Sequence, residues 1–294
     1  SMKVPSNLVR DVRRYYSRLL EGIYSKEESL SLIMILLQHY FGYDRVKIAL
    51  NEDLRLNESE LLTFHFAVKE LLKNKPVQHI IGEEEFCGMS FIVNNNVLIP
   101  RPETAEMTNI IASQRADSKT VDILDIGTGS GCIAISLAKM ISGSNVYAID
   151  ISEDALETAR ENAARNNADV TFVKADILRF NEWLDKSWNE KFDIIVSNPP
   201  YICESEKKEM RANVTDYEPH TALFVSDADP LVFYSTILDF AKHCLKPDGE
   251  ILFEINEKFW FEINRLCIEK GFKNTKLILD FRGKDRFVKV QKCC

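Results

Sequence analysis

The stretch Asp125-Ile-Gly-Thr-Gly-Ser-Gly-Cys-Ile-Ala-Ile, residues 125–135, gives the strongest indication of the fold. It overlaps the apolar run 121–126 and leads into a segment of helical character, with glycines at positions 127, 129 and 131. Glycine lets a backbone turn sharply and approach a ligand closely, because it has no Cβ. The pattern predicts a strand, a tight loop and a helix, with a ligand at the carboxyl end of the strand.

Around this stretch, short apolar runs alternate with helical segments. The runs that we expect to be strands are residues 121–126, 145–149, 170–175, 192–197 and 250–255. Such alternation is typical of an α/β fold with a parallel, doubly wound sheet. Two last runs, 275–279 and 286–290, flank a turn and predict a C-terminal antiparallel hairpin at the sheet edge.

The N-terminal part follows a different pattern. Apolar residues between positions 8 and 72 recur at helical spacing, with a helix stop at Gly42 and a helix start at 57–60, so we expect a small helical bundle. Residues 77–81 and 85–93 instead suggest extended runs, which predict a β-hairpin linker. The expected division is 2–74 for the bundle, 75–102 for the linker and 103–294 for the catalytic domain.

Composition narrows the possible functions. A net charge of −8 and a pI of about 5.3 disfavour long nucleic acid as a partner, since such binding rests on phosphate contacts. No run approaches the roughly 18 apolar residues of a membrane span, so no membrane contact and a cytoplasmic location are expected. Seven scattered cysteines show no metal-ligand spacing, and no metal site is predicted.

Two further carboxylates follow predicted strands. Asp150 ends the second strand, where a carboxylate accepts hydrogen bonds from ribose hydroxyls, and Asp176 follows the third, where a carboxylate could bind an adenine amine. The Gly-x-Gly-x-Gly spacing differs from the dinucleotide pattern and resembles the S-adenosylmethionine loop of Rossmann-like class I methyltransferases. The expected cofactor site comprises Asp125, Gly127, Thr128, Gly129, Gly131, Asp150, Ile151, Asp176, Ile177 and Asn198.

The fourth strand leads into Asn198-Pro-Pro-Tyr, which we expect to be the chemical site. The prolines fix φ and remove two donors, so the Asn198 side-chain oxygen and the Pro199 carbonyl form rigid acceptors. Two such acceptors can orient a planar nitrogen that carries two hydrogens, with Tyr201 as a flat wall, so that methyl transfer proceeds by positioning without a general base. Glutamine, adenine and guanine nitrogens all suit this arrangement.

Beyond these motifs, the chain resembles the release-factor glutamine methyltransferase family over nearly its whole length. The matching stretches begin at Pro76, Phe86, Leu98, Asp125, Asn198, Tyr217 and Asp280. The resemblance implies methyl transfer from S-adenosylmethionine to the side-chain N5 of the glutamine in the Gly-Gly-Gln motif of class 1 peptide chain release factors, which the N-terminal bundle and hairpin help to grip.

The resemblance also implies which residues take part in catalysis and in substrate binding. Asn198, Pro199 and Tyr201 are the expected catalytic residues. The expected substrate-binding set is Asn198, Pro199, Pro200, Tyr201, Arg101, Glu103 and Thr104, with Glu218 and Pro219 either lining the cleft or supporting it. The chain departs from the family's usual pattern at Ala105 and at Asn256, where glutamate and glycine are common.

Three other functions compete with this interpretation. A glutamine methyltransferase acting on a ribosomal protein would share the local chemistry. An adenine or guanine N-methyltransferase acting on nucleic acid would hold a flipped base against Tyr201, although the net charge argues against it. A non-catalytic binding module is the third alternative, and failure to bind S-adenosylmethionine would favour it.

Overall fold

The computed structural model describes residue 4, residues 6–115 and residues 119–292. The α-helices of this part are α1 (Val9–Leu20), α2 (Lys26–Phe41), α3 (Arg45–Leu50), α4 (Glu58–Leu72), α5 (Val77–Ile81), α6 (Pro102–Ser113), α7 (Cys132–Met140), α8 (Glu153–Arg165), α9 (Phe180–Trp183), α10 (Ala212–Thr215), α11 (His220–Leu223), α12 (Val232–Cys244) and α13 (Trp260–Glu269).

The strands are β1 (Glu83–Phe86), β2 (Met89–Ile92), β3 (Val121–Ile126), β4 (Ser144–Asp150), β5 (Val170–Lys174), β6 (Phe192–Ser197), β7 (Ile202–Cys203), β8 (Phe224–Val225), β9 (Leu245–Glu254), β10 (Asn274–Leu279) and β11 (Asp285–Gln291). The chain forms two compact units, Ser1–Gly82 with Ala212–Tyr217, and Glu83–Arg211 with Glu218–Cys294. The sequence-based division at residues 74 and 102 stays a prediction.

The first unit is helical, as the periodicity predicts. Helices α1 to α5 enclose a core that includes Tyr16, Leu37 and Phe64. Helix α2 ends at Gly42 in the left-handed conformation (φ 72°), and α4 begins at a capping box in which Asn57 and Glu60 exchange hydrogen bonds. Both predicted helix boundaries are therefore confirmed.

The prediction of an extended run at 77–81 is wrong, because these residues form helix α5. A segment of five residues, three of them apolar, is too short for periodicity to separate a strand from a helix turn. The flanking residues favour the helix. Pro76 precedes the first turn, where no helical hydrogen bond needs its missing N–H, and Gly82 ends the helix with φ 83°.

The hairpin is formed by β1 and β2, which pair antiparallel. Cys87 and Gly88 make its two-residue turn, both with positive φ (50° and 74°), as a turn matched to strand twist requires. Phe86 and Phe91 are buried in the same core cluster as residues of α6 and α7. The hairpin thus packs within the second unit.

The second unit contains a seven-stranded sheet in the order β10-β11-β9-β6-β3-β4-β5. Strands β5, β4, β3, β6 and β9 are parallel, whereas β11 pairs antiparallel with both β9 and β10. The predicted α/β class, doubly wound sheet and C-terminal edge hairpin are confirmed. Successive residues of β9 point to opposite faces of the sheet: Leu252 packs in one apolar cluster and Phe253 in another. Both faces of the sheet are therefore covered.

Within the described ranges, no helix is both long and apolar enough to cross a bilayer.

Strands β4 and β5 extend the sheet to one side of β3, and β6 and β9 extend it to the other. The strand order therefore reverses beside β3. Open α/β sheets bind ligands at the carboxyl ends of strands next to such a reversal.

Candidate active site

A cavity of about 470 Å³ lies at this edge of the sheet. Its walls come from the glycine loop after β3, the ends of β4 and β6, the turn before α6 and helix α12. The residues that line it are Asn95, Asn96, Val97, Leu98, Ile126, Gly127, Gly129, Ile149, Asp150, Ile151, Ser152, Ala155, Ala175, Asp176, Ile177, Leu178, Ser197, Asn198, Pro199, Pro200, Pro219, His220, Thr221, Ala222, Phe224, Phe233 and Ile237.

The glycine loop has positive φ angles, a backbone conformation that residues with a side chain rarely adopt. Gly127 and Gly129 have φ of 75° and 55°, and a Cβ at either position would meet no atom within 4 Å, so both face open space. Gly131 has a different role, since a Cβ there would lie 2.8 Å from Ile135 Cδ1 and 3.2 Å from Ala159 Cβ. The first two glycines thus leave room beside the cavity, whereas the third permits close helix packing.

Asp125 is fully buried behind this loop. Thr128 donates a hydrogen bond to its Oδ2 (2.8 Å), while Oδ1 makes no hydrogen bond of ordinary geometry to any described residue. Burial raises the pKa of Asp125 to about 7, against the lowering effect of Thr128, and the nearby Asp150 raises it further. The loop is therefore backed by a carboxyl group that ionises near neutral pH.

Two more carboxylates border the cavity itself. Asp150, the last residue of β4, accepts hydrogen bonds from the backbone N–H groups of Gly129 and Ser152 (2.9 Å each), and burial raises its pKa despite these bonds. Asp176 accepts a hydrogen bond from the N–H of Leu178 (3.0 Å). Asp150 ends its strand as predicted, whereas Asp176 lies two residues beyond the end of β5.

Apolar side chains stand beside these carboxylates. Ile151 and Leu178 line the cavity and are 58% and 42% exposed, so part of their apolar surface is open to a ligand. Ile177 and Phe233 add further apolar surface. Carboxylates next to apolar walls can take a flat ring whose edge carries hydrogen-bond donors.

The Asn-Pro-Pro-Tyr motif follows β6, whose last residue, Ser197, donates a hydrogen bond to the Ile126 carbonyl (2.7 Å). Asn198, Pro199 and Pro200 line the cavity. Tyr201 is only partly exposed, and its hydroxyl donates to Glu254 Oε2 (3.0 Å). The motif thus reaches from the cavity wall into the protein interior.

Hydrogen bonds from neighbouring segments hold this motif. Asn198 Nδ2 lies 3.4 Å from Thr104 Oγ1, which in turn donates to Glu254 Oε1 (2.7 Å). Asn256, one of the two departures from the family pattern, donates its side-chain N–H to the Tyr201 carbonyl (3.1 Å). This contact gives a structural reason for an amide where glycine is common.

The remaining predicted substrate residues lie apart from the cavity wall. Arg101 pairs with the buried Glu218 at 2.5 Å and also donates to the Ile99 carbonyl (3.2 Å), so its charge joins two segments of this unit. Glu103 lies close enough to Glu254 to affect it electrostatically. For Glu218, the supporting role therefore has a direct structural basis.

Several residues of the site were absent from the predicted set. Asn95 to Leu98 and Phe233 line the cavity, and Glu254 joins Thr104 to Tyr201. Only the Leu98 stretch carried a sequence signal, as part of the family resemblance. Phe233 and Glu254 come from α12 and β9, and only the folded chain brings them to this place.

The sheet, the glycine loop and the cavity define the chain as a Rossmann-like methyltransferase. Residues 117–266 match the family profile described as "Methyltransferase domain", and residues 11–82 match the "PrmC N-terminal domain". With the full-length relatives below, these matches show that the chain belongs to the release factor glutamine methyltransferase family, whose members depend on S-adenosylmethionine.

The relatives are similar over nearly their whole length. The release factor glutamine methyltransferase of Flavobacterium psychrophilum is 43% identical, covering 96% of this chain and 99% of the relative. The protein of the same name from Bacteroides thetaiotaomicron is 42% identical, covering 94% and 98%. That of Leptospira interrogans is 38% identical, covering 86% and 88%.

Proposed function

We propose that this enzyme transfers a methyl group from S-adenosylmethionine to the side-chain N5 of the glutamine in the Gly-Gly-Gln motif of class 1 peptide chain release factors. The observation that carries the proposal is the sharing of one cavity by the glycine loop and by Asn198, Pro199 and Pro200. Family membership supports the substrate, because the named relatives are release factor glutamine methyltransferases. The cytoplasmic location stays a prediction.

The charge and the apolar surface of the cavity wall support S-adenosylmethionine as the cofactor. When bound, S-adenosylmethionine supplies a methyl group on a positively charged sulfur. The buried Asp125 and the half-buried Asp150 give this end of the sheet a negative field that favours a cation. Ile151 and Leu178 offer apolar faces for the adenine, while Asp176 is an acceptor for its amine.

The bare backbone of the glycine loop completes this fit. Gly127 and Gly129 leave space that a side chain would fill, so a ligand can approach their backbone. Asp150 accepts bonds from two backbone N–H groups, and each carboxylate oxygen keeps a lone pair for a ribose hydroxyl. Ile177 adds to the apolar wall, Thr128 donates to Asp125 behind the loop, and Gly131 permits close helix packing.

The catalytic role that we assign to the motif is orientation. A glutamine amide has two N–H donors. In the proposed complex one donates to Asn198 Oδ1 and the other to the Pro199 carbonyl, while the Tyr201 ring lies against the amide plane. The prolines fix the backbone, and with it the Pro199 carbonyl and the point from which the Asn198 side chain leaves the chain. Acceptors that are already in place hold the nitrogen at the methyl donor with little reorganisation. The alkylated nitrogen loses its proton to water.

A direct assay tests this function. Tritium from labelled S-adenosylmethionine is followed into unmethylated release factor, into the same factor with Gln→Ala in its Gly-Gly-Gln loop, into ribosomal protein and into duplex DNA. We expect label only in the intact release factor. Label in ribosomal protein or in DNA would assign the enzyme to one of the competing functions, and failure to bind the cofactor would favour a non-catalytic module.

A further inference from the structure

A buried glutamate lies directly behind the Asn-Pro-Pro-Tyr motif. Glu254, the last residue of β9, is 2% exposed, and its two carboxylate oxygens accept hydrogen bonds from different segments. Thr104 on α6 donates to Oε1 at 2.7 Å, and Tyr201 donates to Oε2 at 3.0 Å. A buried carboxylate is costly for folding, and an apolar residue at this position would avoid that cost.

These contacts determine the direction of the adjoining hydrogen bonds. A carboxylate only accepts, and a threonine hydroxyl has a single proton, which Thr104 gives to Glu254. The Thr104 oxygen can then only accept, so it must meet the NH₂ side of the Asn198 amide, 3.4 Å away. Asn198 Oδ1 is consequently turned away from Thr104 and left available as an acceptor.

The second oxygen of Glu254 acts on the tyrosine. The hydrogen bond from the Tyr201 hydroxyl anchors the far end of the side chain that we propose to lie against the glutamine amide. Tyr234 donates to the Glu254 backbone carbonyl (2.8 Å), which fixes the end of the strand itself. One carboxylate therefore constrains both side chains of the motif that are proposed to contact the glutamine amide.

We propose that Glu254 is a positioning residue for methyl transfer, acting through Thr104 on the amide orientation of Asn198 and directly on Tyr201. This inference rests on the proposed function for the identity of the substrate. Arg286 donates hydrogen bonds to Asp280 and to the Ile255 carbonyl, and it also interacts with the Tyr201 hydroxyl. The contact to Asn198 comes from Thr104, which donates to Glu254. The charge of Arg286 stabilises the carboxylate from nearby.

The test is Glu254→Gln, which keeps the shape but replaces one acceptor with an NH₂ donor. Either the Thr104 or the Tyr201 hydroxyl then faces the new NH₂ group and can no longer donate to it. If Thr104 loses its acceptor, its proton can point to Asn198, and the Asn198 amide can rotate by 180°. We expect kcat for release-factor methylation to fall about 100-fold, as for a small misplacement of a reacting group. The Kd for S-adenosylmethionine stays within about twofold, since the lost interaction orients the acceptor amide only.

The chain offers a matched control on the same strand. Glu250 is 5% exposed and pairs with Arg115 and Lys289, outside the motif. Glu250→Gln should leave kcat near that of the wild type. Equal losses of kcat in the two variants would overturn the inference, because both would then report only the removal of a buried charge.

A double-mutant cycle tests the relay. Thr104→Val removes the hydroxyl, so the combination with Glu254→Gln should lower kcat by much less than the product of the two single effects. Fully multiplicative effects would mean that Glu254 does not act through Thr104, and would overturn the proposal.

A measurement without substrate separates this inference from the proposed function. Nuclear Overhauser contacts between the Asn198 side-chain NH₂ and Thr104 should be present in the wild type and weakened in Glu254→Gln. If the wild type fails to methylate release factor, the proposed function fails, whereas the NMR comparison still decides the role of Glu254. Unchanged contacts would overturn it.

Discussion

Asn198 is the residue on which the proposed chemistry depends most directly. Its side chain lines the cavity and its amide nitrogen faces Thr104. Sequence alone could predict this residue, because the Asn-Pro-Pro-Tyr motif is contiguous. Sequence could not predict which way the amide points, since that depends on Thr104 and Glu254, which lie 94 and 56 positions away along the chain.

We predict that Asn198→Ala lowers kcat by about 100-fold or more, the effect of losing one preorganised hydrogen bond to the reacting group. Cofactor affinity should remain close to that of the wild type, because other residues supply most of that wall. Calorimetric titration with S-adenosylmethionine and single-turnover methylation measure the two quantities. Near-normal kcat would remove Asn198 from the orienting role.

Asp125 shows how burial changes the behaviour of a carboxyl group. With its pKa raised to about 7 by burial, the group is largely protonated at pH 6 and largely ionised at pH 8 in the cofactor-free enzyme. A bound cation favours the ionised form and so lowers this pKa, which means that binding releases a proton.

We therefore predict that affinity for S-adenosylmethionine rises with pH across this range, by up to about tenfold if only the ionised form binds. Asp125→Asn should remove that part of the dependence, which also separates it from titration of the cofactor's own amine. Calorimetry at pH 6, 7 and 8 on both proteins makes the comparison. Parallel pH profiles would show that Asp125 does not sense the ligand.

At the scale of elements, the apolar periodicity predicted the sheet well and the connections poorly. Strands β3 and β6 lie at the predicted residues, because four of the six residues in each are large and apolar. Strand β9 begins at Leu245, five residues earlier than predicted, since its first half contains the polar stretch Lys246–Glu250. Leu245 pairs with Phe192 of β6, and the register then shifts before Glu250 pairs with Ile194, so the early start of the strand rests on a tertiary pairing that composition does not reveal.

The hairpin illustrates a contact that sequence could not reveal. The fully buried Asn162 on α8 accepts a hydrogen bond from the Ile92 N–H (2.6 Å) and donates to the Ile92 carbonyl (3.1 Å), in the manner of a neighbouring strand. It also donates to the Ser130 carbonyl in the glycine loop (2.9 Å). One amide therefore joins the hairpin to the loop.

We predict that Asn162→Ala lowers the free energy of unfolding by about 1–3 kcal/mol, because buried backbone groups lose their partners. It should also weaken cofactor binding, since the glycine loop loses a fixed point. Urea unfolding and cofactor titration give both values. Asn166→Ala is the control, because Asn166 bonds the hairpin at the Ser90 carbonyl but does not contact the loop; equal losses of affinity in both variants would contradict the assignment.

At the scale of the whole molecule, the two units divide the predicted tasks. The residues that line the cavity all belong to the second unit, whereas the PrmC N-terminal domain match falls on residues 11–82. Helical spacing was enough to predict a bundle there. It could not predict that residues 212–217 join this unit, because no local pattern marks a return of the chain.

We predict that a chain starting at residue 83, with residues 212–217 replaced by a glycine-serine linker so that the whole first unit is removed, retains S-adenosylmethionine binding. The value of kcat/KM for release factor should fall by about 100-fold or more through a higher KM, the signature of lost uniform binding. Methylation of a short Gly-Gly-Gln peptide by the two chains is the internal control, and it should change little. An equal loss with factor and with peptide would show that the first unit supports the catalytic site instead of recognising the partner.

The return of residues 212–217 to the first unit has a consequence for how such enzymes can be rearranged. The Tyr217 hydroxyl donates to the Lys73 carbonyl (2.8 Å), and its ring meets His79, so two distant parts of the sequence complete one body. A recombination that exchanged only an N-terminal cassette between homologues would separate these partners. Productive chimaeras of this family should therefore inherit the two segments together.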